Sequence, residues 1–211
     1  MPTSISKPSQ LGRLVTASND YYECLVPASQ FSIPAFGDLV IAEISPDYRV
    51  FGLIGSISVH PIDGVEQYAI AAENLQEDTL TDLQNTPAKL GVIVVGFVDK
   101  GKISQMVPPR PPISLAGVSI ANPQELVAFT ENRGYLRHVL KVKSSTGLPA
   151  IEILAAHICR ASEAHQAAGN KNWTVDAVTE LTSQLRDDYD SLLNFAQAIS
   201  DIPAAYFMKG G

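Results

Sequence analysis

Hydrophobic positions in the first 120 residues fall in short runs separated by turn formers. Residues 50–59 alternate most clearly. Phe51, Leu53, Ile57 and Val59 share one parity and Gly52, Ser56 and Ser58 the other, the period-two signature of a half-buried strand. Residues 11–17 and 21–26 flank Ser18-Asn19-Asp20 and read as a hairpin, and residues 39–44 form a strand entered through Phe36-Gly37-Asp38. The run LGVIVVGFV at 90–98 reads as a fully buried strand, being about half of the ~20 residues a membrane-crossing helix needs. Asp99-Lys100-Gly101-Lys102 turns it into a strand at 103–107. Residues 63–88 are a polar, acidic excursion with one short helical turn stopped by Pro87. Pro108-Pro109-Arg110-Pro111-Pro112 can only be extended, and a last short strand follows at 117–121. Short strands without amphipathic helices between them predict a small β-barrel or sandwich over residues 10–121.

The period changes at Asn122-Pro123, a cap followed by a first-turn proline, which opens a short helix over 124–131. Residues 135–143 read as extended. Pro149 opens a helix to about Ala168, closed by Gly169-Asn170. A second helix, capped by Thr174 and ended by Pro203, carries Val178, Leu181, Leu185, Tyr189, Leu192, Phe195 and Ile199 on one stripe. These two helices predict an antiparallel hairpin with Trp173 at its connection, within a mainly helical region spanning 122–205. The fold class is α+β.

Composition adds little: 45% hydrophobic and 18% charged residues over 211 positions are those of an ordinary globular chain. A net charge of −7 argues against wholesale binding of nucleic acid or anionic membrane. The polar N-terminus lacks the apolar core of a signal peptide, and two distant cysteines, Cys24 and Cys159, fit a reducing cytoplasm.

Candidate chemistry is sparse. The histidines at 60, 138, 157 and 165 form no metal-binding spacing, and His157 and His165, two helical turns apart, read as core or surface residues. Asp187, Asp188 and Asp190 read as a solvated face. Gly96 to Lys102 nearly spells a nucleotide-binding loop, but Ile103 stands where Ser or Thr is needed and a strand follows, so it reads as a turn. No catalytic, cofactor-binding or metal residue is assigned. Arg133, Arg137, Lys141 and Lys143 share one parity and Leu136, Leu140 and Val142 the other. As a strand this gives a basic face, either a solvated surface or an anion or nucleic-acid strip with Tyr135 available to stack.

The order of Gly12-Arg13-Leu14-Val15, Phe36-Gly37-Asp38-Leu39-Val40, Gly52-Leu53-Ile54-Gly55, Gly91 to Gly96 and PPRPPISLAGV at 108–118 resembles the HAS barrel. That is the small N-terminal barrel of HerA-type hexameric DNA-translocating ATPases and of ATP synthase subunits. The resemblance implies a barrel active in ring formation and partner docking. It extends to a strand–Thr-Gly–helix order at 137–151, where the family has its phosphate-binding loop. Here Ser144, Pro149, Ala150 and Ile151 replace the glycines, lysine and hydroxyl that loop requires, leaving a vestigial segment at 144–151. The expected function is a non-catalytic assembly module without nucleotide hydrolysis. The alternatives are a ligand-binding or enzymatic barrel with an unrecognised site, and a nucleic-acid accessory protein using the 133–143 strip. The stripe Val178, Leu181, Leu185, Leu192 and Phe195 exceeds what the preceding alanine-rich helix can cover, so either the barrel or a second copy covers the remainder, and an interface with a second copy is expected.

Overall fold

The computed structural model describes residues 10–27, 34–59 and 87–201. The expected excursion at 63–88 lies almost wholly outside these residues, as do His60 and Pro203. Seven strands are present among the described residues: β1 (Gln10–Ala17), β2 (Tyr21–Val26), β3 (Leu39–Ser45), β4 (Tyr48–Val59), β5 (Ala88–Asp99), β6 (Lys102–Ser104) and β7 (Gly117–Ile120). Every pairing is antiparallel, and six strands close on themselves in the order β1-β2-β5-β4-β3-β7. The closing seam pairs Tyr21 with Ile93 and Val26 with Ala88. Closure leaves no free edge in the wall except where β6 extends β5 as a hairpin.

The lumen is filled by side chains. Leu11, Leu14, Tyr22, Cys24, Val26, Val40, Val50, Ile54, Leu90 and Val92 form one buried cluster. Residues of opposite parity, Leu39, Ile41, Phe51, Leu53, Ile93 and Val95, belong instead to a second cluster shared with the helices. The half-buried reading of residues 50–59 is therefore corrected: β4 is a wall between two cores. Its alternation also breaks. The register shifts between Ile54 and Ser56, so Gly55 is an inserted bulge residue and Ile54 and Ile57 both pack with the lumen cluster. Gly55 faces the helices, where a Cβ would meet Leu148 and Ile153 at 3.0 and 3.1 Å.

Five helices follow among the described residues: α1 (Pro123–Thr130), α2 (Leu136–Thr146), α3 (Ala150–Ala167), α4 (Trp173–Leu185) and α5 (Tyr189–Asp201). α1 starts with a full capping box: the Asn122 side chain accepts from Glu125 N, and Glu125 reaches back to Asn122 N. α2 and α3 pack on the outer faces of β5 and β4, and α4 and α5 pack on α3. The α+β class and the β-then-helix order hold.

Two expected elements change. Residues 135–143 are not a strand; 136–146 form α2. The spacing of four between Arg133, Arg137 and Lys141 satisfies helical and strand periods alike, and Val139, fully buried, supplies the apolar position that parity alone assigned to the polar face. The strand–Thr-Gly–helix order is accordingly a helix–turn–helix. Gly147, at φ 68°, ends α2 in the left-handed region before α3 begins. The long final helix is two helices broken at Arg186-Asp187-Asp188, and Thr174 is not a cap: α4 begins at Trp173.

Candidate functional site

The residues that join barrel to helices form a buried polar constellation. His157 and His165 lie on α3, 0% and 1% exposed. His157 Nδ1 is 3.1 Å from the Gly37 carbonyl, which can only accept, so Nδ1 carries the proton and Nε2 accepts from the Tyr135 hydroxyl at 2.9 Å. The Thr130 hydroxyl spends its one hydrogen on the Leu126 carbonyl at 2.6 Å, so His165 Nε2 donates to it at 2.8 Å and Nδ1 is left a bare acceptor without a protein partner. His165 stacks on Trp173 with ring centroids 4.4 Å apart, and Trp173 Nε1 donates to the Thr130 carbonyl. One helical turn past His157, Arg160 pairs with Asp38 at 2.9 Å, while Asp38 also accepts from Ala35 N.

Burial sets the charge states here. It holds His157 down to about 4, helped by the nearby Arg160 guanidinium and opposed by the Gly37 hydrogen bond. It lowers His165 as well, and raises Tyr135. It lifts the Asp38 carboxyl above its ordinary value although Arg160 and the Ala35 N–H pull the other way. Neutral histidines bonded to a hydroxyl and a carbonyl hold a seam together. Of the two expected readings, core or surface, both histidines take the core one. Gly37 is the hinge of this latch: at φ 82° it presents its carbonyl to His157, and a Cβ there would fall 2.9 Å from both Ala156 Cβ and His157 N. The Phe36-Gly37-Asp38 triplet is thus a docking turn read by His157 and Arg160.

Among the described residues no three of His, Cys, Asp and Glu converge as a metal centre requires. Among the same residues no helix is long and apolar enough to cross a membrane. Cys24 and Cys159 are both unbridged, and burial pushes the Cys24 thiol up to about 12. An open cleft of ≈ 600 Å³ between the β3–β4 and β5–β6 turns is lined by Glu43, Ser45, Asp47, Arg49 and Gly101. Arg49 is committed to Glu125 at 2.6 Å, so the cleft wall doubles as the contact that fixes α1 to the barrel.

No protein-family model matches the chain, and no curated protein does.

The residues singled out from sequence are dispersed by the fold. Tyr135 is fully buried and bonded to His157, so it offers no stacking surface, which corrects that expectation. Arg133 faces Asp176 at 3.8 Å. Arg137 and Lys141 stand four apart on the exposed side of α2. Lys143 is on α2 too, its side chain outside the described residues. The interface stripe is covered within the chain: Leu181, Leu185 and Phe195 are buried at 0, 5 and 2% exposure, with Val178 and Leu192 packed beside them in the same cluster. Of the two expected covers, the barrel and a second copy, the stripe takes the first: Trp173, Phe129, Tyr135 and the outer wall of the barrel complete the same core.

The sequence reading missed the strap at residues 105–116. It runs from β6 to β7 and is fixed at several points. Asn19 Nδ2 donates to the Pro108 carbonyl at 2.7 Å, Leu115 N to the Leu14 carbonyl at 2.8 Å, and Arg13 to the Leu115 carbonyl at 3.0 Å. Gln105 binds the Phe129 and Asn132 carbonyls and accepts from Tyr135 N. Pro108 and Pro112 are buried, yet Met106, Val107, Ile113 and Leu115 are 61, 48, 58 and 66% exposed, with Val15 and Leu25 of the adjoining β1–β2 wall also exposed. The signal was present as large apolar residues interleaved with prolines, a pattern that reads only as extended backbone.

Proposed function

We propose that the chain is a non-catalytic assembly module of a reducing cytoplasm, built on a barrel of the HAS type and joining to further copies of itself. The observation that carries this reading is the strap. Four large apolar side chains are held in solvent on a backbone pinned at both ends, an arrangement that costs free energy in an isolated chain and is relieved by a protein partner. The relation to the barrel of hexameric translocating ATPases belongs to this proposal and rests on the ordered residues from Gly12 to Val118. The packed lumen supports it further, because the barrel interior is taken up by its own side chains rather than by a ligand.

Light scattering coupled to size exclusion, run from micromolar to millimolar protein, tests the reading. The expected result is a mass that rises with concentration above that of one chain. A single-chain mass throughout overturns self-assembly. Calorimetric titration with Mg-ATP should give no heat of binding; a micromolar dissociation constant would overturn the non-catalytic reading.

A further inference from the structure

We draw no further inference here: the strongest candidate, the exposed apolar patch on the strap at residues 105–116, where Leu115 is held at φ 66° with its side chain 66% exposed, carries no proposal because nothing in the structure shows what covers it.

Discussion

The protein has two interiors, and they are built from different chemistry. The lumen core is almost wholly apolar, and the hydroxyls of Tyr22 inside it and of Tyr48 packed against it have no protein partner. The core on the other side of the wall contains His157, His165, Tyr135, Thr130 and the Asp38–Arg160 pair, nearly all bonded to one another or to backbone. The aromatic rings run across the second core as a chain: Phe51 on Phe129 at 4.6 Å, Phe129 against Tyr135, and Tyr135 edge-on to His157, both at 5.5 Å. The difference teaches where orientation is decided. A closed barrel fixes its own interior by strand register, whereas helices laid on a smooth apolar wall can slide, and directional bonds to Gly37, Asp38 and Gln105 remove that freedom.

The largest break in this contrast should come from Trp173→Ala. It removes a fully buried ring, its stack on His165 and the bond to Thr130, and is expected to cost about 4 kcal/mol in urea unfolding. An effect below about 1 kcal/mol would mean that the helical layer contributes little to cooperative stability.

Acid should act on the second core and spare the first. His157 titrates near 6.5 unfolded and about 4 folded, so below pH 6.5 the unfolded chain binds the proton first. Its contribution is complete above pH 6.5 and is lost as pH falls toward 4, on the order of 3 kcal/mol in total. The lowered His165 adds in the same direction, while the raised Asp38 carboxyl opposes it at the acid end. Unfolding curves between pH 7.5 and 4 on the parent and on His157→Gln should show a shallower slope in the variant; identical slopes would refute the assignment.

The two buried tyrosine hydroxyls give the finest comparison. Tyr135→Phe strands the His157 acceptor and should cost about 1–2 kcal/mol, whereas Tyr22→Phe deletes a hydroxyl without a protein partner and should change stability by less than about 0.5 kcal/mol. Equal effects would erase the distinction between the cores.

The strands were legible because their apolar runs are short, β-branched and punctuated, and each expected strand among the described residues of 10–121 is present, although the one expected at 103–107 is cut to Lys102–Ser104. What parity could not reveal was that the β4 wall is covered on both faces, since Gly52 looks solvent-facing when it is in fact close-packed, and the inserted Gly55 shifts the alternation at Ser56. The helix at 136–146 was missed because basic residues four apart fit either period. The latch was partly visible: Phe36-Gly37-Asp38 and the two histidines each stood out, but 120 residues separate Gly37 from His157, and nothing local couples them. The strap was hidden for the opposite reason, since Gln105 to Val107 were read as the end of a strand and Pro108 to Pro112 were accounted for by proline geometry alone.

That proline geometry has a consequence for how the molecule avoids fibrils. Extended, exposed and apolar segments recruit neighbouring chains mainly through unpaired amides, which template a new strand. Of residues 108–112 only Arg110 owns an N–H, and the Leu115 amide is spent on Leu14. The proline-rich middle of the strap, residues 108–112, therefore offers a single backbone donor, and a misfolded stretch of chain seeking a β-ladder finds little to hold there.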